Sequence, residues 1–430
     1  MKSLKKSGLI TFLSSSVIFI VGFPISIILA RVLGPIDRGI YALIILIPTV
    51  MLKLSSLGIG TANIYFTGNK QYEIKDLISN SFISAILLST INLLLFLGVS
   101  RLVIFQNFLN SNQINPLYLW LAILSTPFSL LFGFLLNIIL GREEIVRFNH
   151  VSIIKLTFYL VAVIGFVLIL KQGVLGATIS YVLTAIFATL LIIFLLRRDI
   201  TTNISLNKNL FKNLTRYGLK SYFGNLAQFL NYRLDMFLVA IFLTPADLGF
   251  YTIAVGIGER VWMFPGAFAT VLFPRVSSIE NGKSNKLTPK VARHTFLITF
   301  IVSLMLAIFA KHLINILYGS DFLPSVTPIV ILLPGIIALG GAKILSADLA
   351  GRGKPQFGTY AAFVSLAVNI PLNLYFIPKW GISGAALAST VAYISASLFV
   401  LIAFTKISRV PFRDTLFIKL NDFKAVLNIN

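Results

Sequence analysis

The chain has 430 residues, of which 57% are hydrophobic and only 12% charged, with a formal net charge of +22 and no cysteine. So little charge cannot cover a soluble globule, in which about a quarter of residues are charged, whereas a helical bundle in lipid carries apolar residues on its outer faces as well. The missing cysteines exclude disulfides, thiolate nucleophiles and thiolate metal sites. His150, His294 and His312 stand far apart at the ends of apolar runs, so neither a metal nor another cofactor is expected.

Taken in chain order, apolar runs long enough to cross ~30 Å of hydrocarbon, about 20 residues each, lie near 9–30, 39–61, 77–100, 117–140, 148–170 and 174–196. The second half of the chain adds runs near 217–243, 249–274, 294–318, 324–347, 357–377 and 381–405. The first follows Lys2, Lys5 and Lys6; it is too long for a cleaved leader and runs directly into a second span, so it is read as retained. The expectation is an all-α integral membrane protein with about twelve transmembrane helices.

Basic residues set the orientation of such a chain. With the N-terminus inside, 24 of the 36 Lys and Arg fall on the cytoplasmic side, among them Arg142, Arg147, Arg197, Arg198, Arg352, Lys419 and Lys424. The external loops keep Arg31, Arg38, Arg101, Lys171, Lys311 and Lys379. Both termini are therefore expected in the cytoplasm. These charges sit in short loops, without the aromatics interleaved on a folded face that nucleic acid requires, so no nucleic-acid partner is expected.

The stretch ARVLGPIDRGIY at 30–41 returns as AIFLTPADLGFY at 240–251, an offset of 210. Gly141-Arg142 returns as Gly351-Arg352 at the same offset, and GVLGA at 173–177 as GISGA at 381–385. Three anchors in one register indicate a duplicated half. Six spans per half make this a parallel repeat: an N-terminal lobe (1–196), a basic cytoplasmic linker (197–216), a C-terminal lobe (217–406) and a cytoplasmic tail (407–430), the lobes facing a central cleft. The repeated P-x-D-x-G-x-Y is expected to be an external hairpin, with Pro and Gly for the turn, Asp accepting from amides at the next helix start, and Tyr at the membrane interface.

Ionisable groups inside a span are costly and normally face a wet cavity or a partner. Lys155, Lys220 and Lys343 lie close enough to predicted cytoplasmic ends to snorkel. Lys53, Arg233, Asp235, Glu259 and Arg260 do not. At 100° per residue Ser221, Asn225, Gln228, Asn231, Tyr232 and Asp235 form one polar stripe on the seventh span. Arg233 lies off that stripe and must meet another helix or a ligand, while Glu259 and Arg260 point in different directions. Ser365, Asn369 and Asn373 line the eleventh span, where helix-to-helix hydrogen bonding is the favoured role. Two readings of the cations stand: Lys53, Arg233 and Arg260 bind an anionic group such as a phosphate, or they neutralise Asp235 and Glu259.

ARVLGPIDRGIY, NYRLDMFLVAIFL, LGFYTIAVGIGERVW with FPRVS after it, LPGIIALGGAKILSADLAGRGKP and GISGAALAS together resemble the bacterial polysaccharide flippases of the multidrug/oligosaccharidyl-lipid/polysaccharide exporter superfamily. The resemblance implies transfer of an undecaprenyl-diphosphate-linked oligosaccharide across the bacterial cytoplasmic (inner) membrane by alternating access, driven by an H+ or Na+ gradient, for surface polysaccharide assembly. It implies lipid-linked oligosaccharide and membrane lipids as partners, with a polysaccharide polymerase or assembly protein as a further candidate. By position it assigns Lys53, Arg233 and Arg260 to the substrate. Asn225, Gln228 and Asn231 join them as stripe residues, and Asp235 and Glu259 are the ion-coupling candidates.

The competing readings are a multidrug exporter or a peptidoglycan-precursor flippase of the same superfamily. Residues 407–430 are too short and charged for the two further spans some relatives carry, which counts against the second. A membrane polymerase or ligase would need a carboxylate or histidine presented outside; the external acids Asp37, Asp247 and Asp321 are isolated. A non-enzymatic transporter without catalytic residues is expected.

Overall fold

The computed structural model describes residues 2–200, 205–278 and 281–416. Lys419 and Lys424, residues 201–204 of the expected linker and the tail beyond 416 lie outside these, as do the side chains of Lys2, Lys5, Lys6 and Lys283. Every regular element among the described residues is helical. They run α1 (Lys2–Ser55), α2 (Ile59–Gly68), α3 (Ile74–Ser100), α4 (Val103–Ser111), α5 (Pro116–Leu124), α6 (Thr126–Gly141), α7 (Ile145–Val163) and α8 (Gly173–Leu196). The second half continues with α9 (Lys208–Phe242), α10 (Pro245–Gly258), α11 (Met263–Ser277), α12 (Asn281–Tyr318), α13 (Val326–Gly351), α14 (Gln356–Ser408) and α15 (Phe412–Leu416).

Two of these are too long to be single membrane helices. The 53 residues of α14 would reach about 80 Å if straight, against ~30 Å of hydrocarbon, and the chain turns at Gly381 (φ 58°, ψ −140°). Helix α1, with 54 residues, turns at Gly34 (φ 71°, ψ 178°). Both conformations are open essentially to glycine alone. Each pair of adjacent predicted spans is thus joined by a break one residue wide. The second predicted span is itself interrupted: α1 stops at Ser55 and α2 restarts at Ile59, across Leu57 and Gly58, both at positive φ.

Among the described residues eight stretches are long and apolar enough to cross a membrane. The seventh and eighth predicted spans are not among them, for a physical reason. Helix α9 carries its polar stripe, and the eighth span is divided into α10, a 3-10 turn at Glu259–Trp262 and α11.

The chain packs as two compact units, Met1–Leu226 with Thr244–Gly249, and Ala227–Leu243 with Phe250–Asn430. In the first, Phe66, Leu77, Leu135, Ile138, Ile192 and Leu214 make one core joining α2, α3, α6, α8 and the start of α9. In the second, α13 runs against α14, with Leu332, Ile336, Ala388 and Ala392 buried between neighbours.

The repeat read from sequence returns as repeated contacts. A Cβ on Gly141 would meet Ile64 and Thr67, and one on Gly351 would meet Phe273 and Val276. Gly176 lies on the carbonyl of Phe166 and Gly384 on that of Phe376. The first copy of this last contact has two more residues between its partners, and there the chain forms a π-helix at Ile164–Ile169, a usual way to absorb inserted residues. The two copies of the P-x-D-x-G turn touch each other within the first unit. Gly39 abuts the Pro245 carbonyl and Gly249 the Pro35 carbonyl, so closely that neither position has room for a Cβ.

The turn residues do three different jobs. Pro245 opens α10 where its missing N–H costs nothing. Asp247 accepts from the Thr244 backbone N–H (3.1 Å) and hydroxyl (2.6 Å) while its own N–H meets the Thr244 hydroxyl (3.3 Å), a reciprocal capping box. The tyrosine is not at a membrane surface. Tyr41 and Tyr251 are 4% and 0% exposed, because their hydroxyls find partners across the bundle: Tyr159 for Tyr41 and Asp235 for Tyr251.

Candidate functional site

Helix α9 delivers most of the expected site residues. Its polar stripe divides between two environments. Asn225 and Gln228 are exposed, Gln228 Nε2 donating to the Tyr232 hydroxyl at 2.6 Å. Asn231 and Asp235, one and two turns further, are buried at 3% and 1% exposure. The burying partner is α14. Ser365 Oγ donates to Asn231 Oδ1 (2.9 Å), and Ser389 Oγ to Asp235 Oδ2 (3.1 Å). Asn369 Nδ2 reaches Ser389 (3.4 Å), and Asn373 Nδ2 reaches Asn369 Oδ1 (2.8 Å). The line Ser365, Asn369, Asn373 therefore joins helices, the role favoured from sequence.

Asp235 is the acid of this network. Its Oδ1 accepts the Met236 backbone N–H at 2.8 Å and its Oδ2 accepts Tyr251 Oη at 2.6 Å as well as Ser389. Among the described residues it has no ion pair. A carboxylate withdrawn from water costs several kcal/mol unless its lone pairs are met. Two oxygens offer about four acceptor sites and three are taken by neutral donors, which leaves one on Oδ1.

The same place in the first half holds no carboxylate. At the offset of 210 Asp235 corresponds to Ile25, Tyr251 to Tyr41 and Asn369 to Tyr159, and at the offset of 208 that relates GVLGA to GISGA, Ser389 corresponds to Tyr181. Ile25 is buried and Tyr41 bonds Tyr159. Two tyrosines thus stand at the positions that, in the second half, carry small polar residues near an acid.

Arg233, which sequence geometry sent to another helix or a ligand, meets the 3-10 turn. Its Nη1 and Nη2 donate to Glu259 Oε1 and Oε2 at 2.9 and 3.1 Å, and Nη1 also reaches the Tyr232 carbonyl at 2.7 Å. This is the fork-to-fork geometry that makes arginine the preferred partner of a carboxylate. The 3-10 turn advances 120° per residue rather than 100°, so Arg260 leaves Glu259 behind and faces the Tyr318 hydroxyl on α12. Lys53 lies in the first unit, exposed, in the last turn of its α1 segment, where a cation complements the helix C-terminus.

Sequence reasoning passed over four members. The turn motif alone points Tyr251 to a surface, and Ser389 closes GISGAALAS, beyond the repeated GISGA, with no role suggested for it. Trp262 was not considered; it is 7% exposed, donates Nε1–H to the Ile336 carbonyl at 3.0 Å, and packs against Tyr232 and Tyr393 at 5.2 and 5.5 Å between centroids. Lys343 was assigned to the headgroups. Its ammonium lies 4.2 Å from the Trp262 ring centroid instead. A signal for Tyr251 existed, since both copies of the turn place tyrosine two residues after the glycine and one helix away from a polar span.

Comparison with known proteins agrees with this architecture. Residues 28–327 match the family model described as polysaccharide biosynthesis protein. A probable low-salt glycan biosynthesis flippase of Haloferax volcanii is 27% identical over 201 residues, 44% of this chain and 42% of that protein. The chain thus aligns with less than half the length of that relative. Among solved structures, the lipid II flippase MurJ in an inward closed conformation has a TM-score of 0.78 at 19% identity, covering 99% of this chain and 93% of the other. An outward-facing multidrug resistance MATE family transporter of the MOP superfamily has a TM-score of 0.68 at 16% identity, covering 95% and 96%. The likeness to these solved structures is one of fold, in keeping with the eight membrane-length apolar stretches, and the chain belongs to the polysaccharide biosynthesis protein family.

Proposed function

We propose that the chain carries an undecaprenyl-diphosphate-linked oligosaccharide from the cytoplasmic to the outer leaflet of the bacterial inner membrane, both termini inside, by alternating access of its two halves. Transport is coupled to an H+ or Na+ gradient through Asp235. The observation that carries the coupling is the environment of that carboxylate: buried in the bundle, in no ion pair among the described residues, with three acceptor positions filled by neutral donors and the fourth open to a proton or a small cation. Glu259, held by both guanidinium nitrogens of Arg233, is the weaker coupling candidate. The glycan-flippase name of the Haloferax volcanii relative and the family's description support the substrate class.

The test is gradient-driven flipping of a lipid-linked oligosaccharide in proteoliposomes. Wild-type protein is expected to respond to an imposed H+ or Na+ gradient, and Asp235→Asn to lose that response while remaining folded. A gradient response retained by Asp235→Asn refutes the assignment. In cells, deletion should remove surface polysaccharide and leave drug sensitivity unchanged; the reverse would make the chain a drug exporter. Glycosyl transfer by the purified protein would make it an enzyme.

A further inference from the structure

Lys343 departs most from what its sequence position suggests. Near a span end, a lysine normally runs its stem along the helix to the headgroups. Here it points the other way. On α13 the exposed apolar positions are Val330 and Pro334, and at 100° per residue Lys343 lies on the opposite side of the helix from both. It is half-buried, with its ammonium over Trp262. Among the described residues no carboxylate lies within ion-pairing distance of it, and the nearby Glu259 is already taken by Arg233. The ring attracts the charge without neutralising it.

We propose that Lys343 is a substrate-binding residue of the second unit, its ammonium taking a non-bridging oxygen of the diphosphate carried by the lipid-linked glycan. This rests on the flippase reading above and adds a residue to it. Two properties suit Lys343 to the role. Its charge is not committed to an acid, so an incoming phosphate does not have to break an ion pair, as it would at Arg233. Its four-carbon stem has the freedom to leave a ring for an oxyanion, and Trp262, fixed by its own hydrogen bond to Ile336, returns the ammonium to a defined place after release. Arg233 in this arrangement holds Glu259 and the 3-10 turn that presents Trp262.

The experiment uses the full chain in nanodiscs with farnesyl diphosphate as probe, and farnesyl monophosphate and inorganic diphosphate as comparisons. The other two tryptophans are replaced (Trp120→Phe, Trp380→Phe) so that fluorescence reports Trp262 alone. Farnesyl diphosphate is expected to change Trp262 emission as the ammonium leaves the ring. Lys343→Gln should weaken its binding roughly 10- to 100-fold, the range for one charge-assisted hydrogen bond. Lys343→Arg should retain part of the affinity, which a merely structural lysine would not require. Wild-type binding with unchanged affinity in Lys343→Gln overturns the assignment and leaves the flippase reading standing. No binding of any lipid diphosphate by the wild type overturns that reading and this one with it. A Lys343→Met variant, which keeps the packing on Trp262, checks that lost binding is not lost fold: it should match the wild type in thermal unfolding and Lys343→Gln in affinity, and binding equal to wild type would overturn the proposal.

Discussion

Replacing Gly249 by alanine tests the contact between the two repeated turns. The added methyl would lie on the Pro35 carbonyl, 3.0 Å from its carbon and 3.3 Å from the Gly39 nitrogen, where ordinary contact begins at 3.4 Å. No side chain can rotate away, since the opposing atoms are backbone. The helices must separate by at least several tenths of an ångström, and overpacking of this kind costs about 1–3 kcal/mol. Gly39→Ala meets the mirror-image obstacle, with the Pro245 carbonyl carbon at 2.7 Å and the Gly249 nitrogen at 3.0 Å. One separation relieves both, so the double variant should lose clearly less than the sum of the single losses. The assay is thermal unfolding of purified protein at one scan rate, with Gly133→Ala as control. Gly133 sits inside α6 with nothing within 4 Å, and alanine there should be neutral or slightly stabilising. If Gly249→Ala melts with the control, or the two single losses simply add, the reciprocal contact is not what excludes side chains at these positions.

Further variants probe the buried polar groups. Arg352→Ala strips a wholly buried acid, Asp348, of its cation at 2.5 Å, leaving Thr288 as its remaining side-chain partner; a loss of about 3–5 kcal/mol is expected, and thermal unfolding should show part of it restored in Asp348→Ala/Arg352→Ala. A double variant no more stable than the single would refute the pairing as the cause. Tyr251→Phe removes one of the three donors to Asp235 and should cost about 1–3 kcal/mol by the same measurement. Tyr41→Phe, whose partner is another hydroxyl, should cost less; equal losses would show that the tyrosines matter through packing rather than through the acid.

The span pattern and the duplication were legible because both rest on coarse quantities, run length and register. The site was legible only in part. Helical periodicity placed Asn231 and Asp235 on one face, and it correctly separated Arg233 from them, but the identity of each partner depends on how α9 meets α10 and α14. Periodicity carries no information on that. It separates Glu259 from Arg260 without naming the partner of either, and because it assumes continuous helix it misses the 3-10 turn at Glu259–Trp262 and the interruption at Leu57 and Gly58. Lys343 shows a third limit. Distance along a span from the membrane edge says nothing about which side of the helix a lysine takes, and an interior tryptophan can compete with the headgroups for its charge.

The turn-to-turn contact bears on how the two copies could diverge. Each turn is the surface against which the other is packed, so a substitution at Gly39 is judged by the backbone at Pro245, and one at Gly249 by the backbone at Pro35. Positions elsewhere were free to drift separately, as Ile25 opposite Asp235 and Tyr181 opposite Ser389 demonstrate. Neither turn can gain a side chain at its glycine without displacing the other, and that mutual constraint favours keeping glycine at both positions, 210 residues apart.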